Sequence, residues 1–202
     1  MRRILVRSTF ALLSSAFLTA FAAPVVMSEA DLERCAPAVD RQTMGVLVRD
    51  LSDGEPYAVT PFGGETLQYA NPGDAAAVLA KPEEAPEGGW LVGIAQMNSK
   101  AIIAKGLKPE QALDPCICLR LASEELKHCF ESKSVRNAAD KLKPLLACFY
   151  SSRVPEKDLA ARIETVIERV QPAVPSLSSL MAPVPEAPLV FRVEGSKNPL
   201  IF

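Results

Sequence analysis

Three acidic side chains lie close together in the first third of the chain: Asp50, Asp53 and Glu55. Carboxylates at such spacing serve as proton donors and acceptors, or as ligands of a cation. Gly54 and the short span fit a turn that ends a helix better than they fit a cation site. An acid–base role for this segment therefore depends on which way each carboxylate faces.

Cysteine usage points to an oxidising compartment, because five cysteines are many for a reduced cytosolic protein. Their spacings match no standard zinc pattern, so we expect no metal site and no cofactor. Disulfides are the expected chemistry, and the odd count leaves one thiol unpaired. The cysteines are Cys35, Cys116, Cys118, Cys129 and Cys148.

His128 is the single histidine, which excludes a site with several histidine ligands, and the lack of a partner motif around it argues against a histidine-based catalytic triad. With 22 Lys+Arg against 24 Asp+Glu the net charge is -2, so the chain lacks the basic excess of a nucleic-acid binder. The polar residues Gln96 and Asn98 lie in an otherwise apolar segment. They could bind a sugar, or they could form hydrogen bonds within the start of a helix. Trp90 fits a sugar-stacking residue or a core anchor equally well.

The elements that must position these residues are mainly helical. Ser28 with Asp31 resembles a capping box for a helix from Ala30 to Cys35, and Asp40 caps a second helix that ends at residues 52–54. Residues 55–69 are turn-rich and predict a small strand or loop lobe. Further helices are predicted over 74–80, 119–131, 135–150 (broken near Pro144) and 155–170.

Both ends of the chain differ in composition from its middle. Residues 1–22 read as a secretory signal, with basic residues first, an apolar stretch and a small-x-small site before Pro24; an uncleaved anchor is the alternative. Residues 171–202 contain six prolines, so we expect this segment not to pack with the domain. Its apolar residues 189–193 could form a strand for a partner. The predicted domain is then 23–170.

Three segments in order resemble one family. VRDLSDGEPYAV (48–59) resembles V-R-x-E-S-x-x-N-P-Y-A-[IV], and VGIAQMN (92–98) resembles V-G-L-x-Q-[IM]-N. LDPC (113–116) followed by ACFYS (147–151) resembles D-P-C…[AS]-C-Y-N-x-G. The family is that of the lytic transglycosylases of type IV secretion and conjugation systems, whose fold is lysozyme-like.

The resemblance implies a mainly α (α+β) domain that cleaves the glycan strand of peptidoglycan. In this family one glutamate protonates the glycosidic oxygen and then acts as base while a 1,6-anhydro ring closes. Such an acid needs a semi-buried site that keeps it protonated near neutral pH. The sugar groove that the resemblance implies is lined by Ser52, Gln96, Met97, Asn98, Phe149 and Tyr150.

The sequence departs from the family at the catalytic position, where Leu51 stands in place of the glutamate. Leucine cannot transfer a proton, and only Asp50 or Glu55 is near enough in sequence to substitute weakly. The family's Tyr-Asn pair is replaced by Phe149-Tyr150. The segment that lines the sugar groove in the family is retained, whereas the catalytic acid is replaced. This combination suggests a pseudoenzyme.

The same resemblance implies the disulfides. Cys35–Cys116 is expected because both residues lie in motifs that the family pairs. Cys129–Cys148, joining the two later helices, is the second expected bridge, which leaves Cys118 free.

Two function classes follow for an exported, periplasmic protein. The first is a peptidoglycan-interacting transglycosylase homologue, with weak or no catalysis, that opens or marks the wall for a secretion apparatus. The second is a non-enzymatic scaffold or assembly factor that uses the fold and the Pro-rich tail. Expected partners are glycan strands and periplasmic components of the apparatus, without nucleic acid and without a membrane span after signal cleavage.

Overall fold

The computed structural model describes residues 27–170 and the short segments 190–191 and 200–201. The predicted signal (1–22) and most of the predicted tail lie outside the described residues. Within 27–170 the chain folds into helices around one small sheet, which confirms the expected mainly α fold with a β lobe. The helices are α1 (Glu29–Cys35), α2 (Arg41–Ser52), α3 (Pro72–Leu79), α4 (Ser99–Ala104), α5 (Pro115–Glu131), α6 (Lys133–Arg136), α7 (Leu142–Tyr150) and α8 (Glu156–Val170), with 3-10 turns at Pro82–Glu84 and Pro109–Leu113.

The sheet has four antiparallel strands in the order β2-β1-β3-β4. They are β1 (Ala58–Pro61), β2 (Leu67–Gln68), β3 (Trp90–Val92) and β4 (Met97–Asn98). Two of them, β1 and β2, lie in the predicted lobe, and β3 pairs with β1 to bring the segment around Gln96 beside it. The sheet thus joins two of the family-like motifs.

Helix ends follow the side chains that cap them. The Ser28 hydroxyl accepts a hydrogen bond from the Asp31 N–H at 3.2 Å, and the Asp31 carboxylate accepts one from the Ser28 N–H. The Asp40 carboxylate accepts the Thr43 N–H at 3.0 Å at the start of α2. The helix ends where Asp53 adopts the left-handed conformation with φ 59°. These predicted caps are confirmed.

Two predicted helix bounds were wrong. Helix α5 begins at Pro115 instead of residue 119, because the Asp114 carboxylate accepts the N–H groups of Cys116 and Ile117. The predicted helix 135–150 is divided into α6 and α7 by residues 137–141, not at Pro144. Pro144 is accommodated in the first turn of α7, where a backbone N–H has no helical partner to lose.

Two disulfides fasten the helices around a single core. Cys35–Cys116 joins α1 to α5, and Cys129–Cys148 joins α5 to α7, as the resemblance implied. Cys118 is a buried free thiol. The largest fully buried side chains are those of Tyr150, Phe149, Met44, Leu47, Ile94, Met97 and Ile102.

Beyond α8 the described residues are two short strands, β5 (Val190–Phe191) and β6 (Leu200–Ile201), which pair antiparallel with each other. The strand expected near 189–193 is thus present and is paired within the chain. Across the described residues, no helix is both long and apolar enough to cross a membrane.

Candidate functional site

A cavity of about 470 Å³ lies between the sheet and α8. Leu51, on the last turn of α2, and Tyr150, at the end of α7, form one part of its wall. The β1–β2 hairpin contributes Thr60, Gly63, Gly64 and Thr66, and α8 contributes Asp158, Ala161, Arg162 and Thr165. Position 51, which the resemblance predicts to correspond to the family's catalytic glutamate, therefore lines a cavity with an apolar side chain.

Gln96 lines the cavity from a tight turn between β3 and β4 and has φ 48°. Its amide nitrogen donates to the carbonyls of Ala58 and Gly93 at 3.2 and 2.9 Å, and its amide oxygen accepts the Thr60 hydroxyl. Gly93 is required in this turn, because an added Cβ would lie 2.1 Å from the Ala112 carbonyl oxygen. The motif thus holds this part of the cavity wall rigid. Few hydrogen-bond donors and acceptors of the Gln96 side chain remain for a ligand.

Asp50 and Leu51 are adjacent in sequence but face different surroundings, as expected on a helix. The Asp50 side chain has no exposed surface and accepts hydrogen bonds from Tyr150, Arg162 and Arg169 at 2.8, 2.8 and 2.9 Å. Two guanidinium groups and a hydroxyl thus share its two carboxylate oxygens. This carboxylate fastens α2 to α7 and α8.

Tyr150 lines the cavity, and its hydroxyl donates a hydrogen bond to Asp50. Position 51 beside it is a leucine and offers no proton donor. Burial first, and then the Asp50 carboxylate, raise the pKa of this hydroxyl well above its usual range. Tyr150 therefore remains a protonated donor at every physiological pH.

Arg153 is a second buried anchor of the site. Its side chain is 1% exposed, pairs with Glu125 at 2.7 Å, and lies over the Phe149 ring at 3.8 Å from the centroid. It also donates to the Ala95 carbonyl and to the Met97 sulfur. Arg153 thereby connects the β3–β4 turn to α5 and α7.

The other groove residues named from the sequence lie inside the protein instead of on the cavity lining. Ser52 donates to the Ile94 carbonyl at 2.7 Å, and the Met97 sulfur accepts from the guanidinium of the buried arginine. Asn98 caps α4, and its amide donates to two carbonyls; Phe149 is fully buried. These residues support the wall, and their direct contact with a glycan stays a prediction.

Three further residues noted in the sequence also lie outside the cavity lining. Glu55 is partly buried in the turn after α2, and Trp90 packs against the core. His128 is exposed on α5. No group of three or more side chains in the described residues is arranged to hold a metal ion.

Sequence reasoning missed the three charged side chains Arg153, Asp158 and Arg162 of the lining. The sequence does contain a signal for Arg162. This residue and Arg169 lie at helical spacing beside the apolar Leu159 and Val166. Charged residues at such positions usually have a buried partner, here Asp50.

A second cavity, of about 430 Å³, lies between α7 and α8 and has mainly apolar walls. Pro144, Ala147, Leu159 and Ile163 line it, and charged side chains such as Lys143 and Glu156 stand at its edge. Of the family-like motifs it contains only Ala147.

Comparison with known proteins supports the family resemblance. The chain is 31% identical over 122 residues to the type IV secretion system protein virB1 of Brucella abortus, covering 59% of this chain and 51% of that protein. It is 34% identical over 118 residues to protein virB1 of Agrobacterium fabrum, covering 57% and 48%. The chain thus matches about half the length of these relatives. No family model and no solved structure matches it.

Proposed function

We propose that this protein is a periplasmic component of a type IV secretion or conjugation apparatus that binds peptidoglycan glycan strands in the cavity beside Leu51. It marks or holds the wall at the site of assembly and cleaves the glycan weakly or not at all. The observation that carries this proposal is that Leu51 lines the cavity, since the resemblance assigns this position to the proton-donating glutamate.

The nearby carboxylates do not replace the missing acid. The Asp50 carboxylate is bound by two guanidinium groups and does not line the cavity. Glu55 lies outside the lining as well. Asp158 does line it, but it is exposed in the first turn of α8, whereas the family's catalytic acid needs a semi-buried site.

The test uses the exported chain with purified, peptide-crosslinked sacculi. We expect it to sediment with sacculi and to release anhydro-muropeptides, measured by mass spectrometry, at no more than the background of a heat-denatured sample. Robust release that Asp158→Asn, Asp50→Asn or Glu55→Gln abolishes would show that a substitute acid exists.

The alternative scaffold function predicts a different outcome of the same experiment. A scaffold without a glycan site would remain in the supernatant when the sacculi are sedimented. Circular dichroism would show that this unbound protein is folded. A deletion strain complemented for secretion by such a non-binding protein would establish the scaffold and reject glycan recognition.

A further inference from the structure

Four basic side chains lie at the end of α5, on α6 and just before α7. They are Lys127, Lys133, Arg136 and Lys141, and we call this group the basic corner. Residues 127–141 contain these four and two acidic residues, whereas residues 27–170 contain 17 Lys+Arg against 22 Asp+Glu. A positively charged surface thus stands on a domain that is acidic as a whole.

The fold brings the basic corner together and turns it outward. Val135 is fully buried and anchors α6, and its helix neighbours Lys133 and Arg136 are exposed. The Lys141 Nζ atom lies 6.0 Å from the centroid of the Phe130 ring, which places the segment before α7 against the end of α5. The disulfide between α5 and α7 holds these elements in place.

The cations of the basic corner lack counter-charges. In the described part of the chain, none of its four side chains forms an ion pair. Several exposed lysines elsewhere do form one: Lys81 with Glu84, Lys105 with Glu124 and Lys143 with Glu164. The basic corner therefore keeps its charge available for a partner.

The basic corner and the cavity beside Leu51 lie at opposite ends of α5 and α7. Near the start of α5 the Cys118 sulfur accepts the Ala95 N–H at 3.3 Å, in the turn that carries Gln96 of the cavity wall. Lys127 lies nine residues further along α5, about 13 Å away at the rise of an α-helix. Helix α7 runs the other way, from the basic corner to the cavity.

The shape and composition of the basic corner favour an extended anionic surface as its partner. Its side chains line neither of the two cavities described above, so they offer no enclosed site for a small molecule. Three of the four are lysines, whose point charges on flexible stems adapt to mobile phosphate groups. Each basic residue near an anionic lipid surface strengthens binding about fivefold.

We propose that the basic corner docks the protein on an anionic phospholipid surface, with phosphatidylglycerol-type headgroups as its ligands. This goes beyond the proposed function and does not depend on glycan binding. Four basic residues against two carboxylates give weak, reversible and salt-sensitive attachment. With the basic corner on the lipid, the cavity end of α5 and α7 faces away from the membrane.

The first arm of the test is sedimentation of the purified chain with sucrose-loaded vesicles. One set is phosphatidylcholine alone, and the other is an equimolar mixture with phosphatidylglycerol. We expect the anionic vesicles to bind at least about tenfold more strongly, and about 0.5 M NaCl to remove the difference by screening. Equal binding to both sets, or no binding to either, would overturn the proposal.

The second arm compares two double variants that each remove one lysine and one arginine. Lys133→Gln with Arg136→Gln changes the basic corner, and Arg49→Gln with Lys157→Gln changes two exposed cations elsewhere. We expect the first to lose affinity for anionic vesicles by about tenfold or more and the second by less than about twofold. Equal losses would show that net charge, not the basic corner, decides binding.

A third variant changes binding in the opposite direction, so misfolding cannot imitate it. Glu131→Gln removes an exposed carboxylate within the basic corner, and we expect it to bind anionic vesicles several-fold more strongly. Unchanged or weaker binding would contradict the proposal. Poly-glutamate tests the alternative of an acidic protein partner: its binding by a chain that ignores anionic vesicles would overturn lipid docking.

Discussion

At the scale of single residues, the site combines an apolar side chain at position 51 with a strongly bonded carboxylate at position 50. A semi-buried catalytic acid is costly, since its charged form is poorly solvated and its neutral form leaves polar atoms to satisfy. Leu51 removes that cost and packs against the core. Function and stability at this position thus favour different residues.

Under the proposed function, Leu51→Glu should introduce glycan-cleaving activity. The new carboxyl would stand on the cavity wall beside Tyr150 and Gln96, and a positioned general acid contributes about 10²–10⁴-fold to a rate. We expect anhydro-muropeptide release at least about tenfold above the unaltered protein. Leu51→Gln is the matched control, and equal release by the two variants would mean that proton transfer at this position is not the missing step.

Asp50→Asn should destabilise the fold. The change leaves Tyr150, Arg162 and Arg169 without a buried anionic partner, and because both arginines are partly exposed we expect a loss of ~1–3 kcal/mol in the free energy of unfolding. Urea denaturation followed by circular dichroism measures it. Asp53→Asn, an exposed carboxylate in the same turn, is the control and should change stability by less than about 0.5 kcal/mol.

Cys118 should resist thiol reagents in the folded protein. Burial raises its pKa to about 11, so the thiol is protonated at every pH below that value and the reactive thiolate is scarce. We expect negligible iodoacetamide labelling at pH 8 and complete labelling in 6 M guanidinium, both read by intact mass. Rapid labelling of the native protein would show that the site opens readily.

At the scale of elements, the sequence correctly predicts a helix start where a side chain accepts a hydrogen bond within the first turn of the helix. The caps at Ser28 and Asp40 are of this kind, since each acceptor lies three residues from its donor. The prediction that the helix breaks at Pro144 is wrong, because the break between α6 and α7 lies at residues 137–141. Within a first turn a proline removes no helical bond, so the interruption at 137–141 had no proline signal.

Among these elements the two disulfides should contribute unequally. Cys35–Cys116 closes a sequence separation of 81 residues and Cys129–Cys148 one of 19. In the chain-entropy treatment these loops correspond to about 4.5 and about 3.3 kcal/mol. We therefore expect the double alanine variant of the first pair to lower unfolding stability by about 1 kcal/mol more than that of the second, measured by urea denaturation. The reverse order would mean that native contacts around the bridges outweigh loop length.

At the scale of the whole molecule, the sequence motifs predict which three segments meet, but not the charged residues that line the cavity between them. The family-like motifs brought Leu51, Gln96 and Tyr150 to one place, as expected. The Asp50–Arg162 contact joins residues 112 positions apart, and no local pattern encodes which carboxylate an arginine on α8 will meet. Such long-range pairs depend on how α2 and α8 pack, which a single sequence does not state.

The domain boundary after Val170 rests on composition, because residues 171–189 lie outside the described structure. Six prolines in 171–202 remove backbone donors, so we expect this segment to add little to the packed core. Limited proteolysis of the purified chain should cut after Val170 before it cuts within α2 to α8. A chain ending at residue 170 should then keep its thermal midpoint within about 2 °C, because a loss of 1 kcal/mol would lower the midpoint by several degrees in a domain of this size. A larger drop, or cleavage within the helices first, would place the tail in the domain.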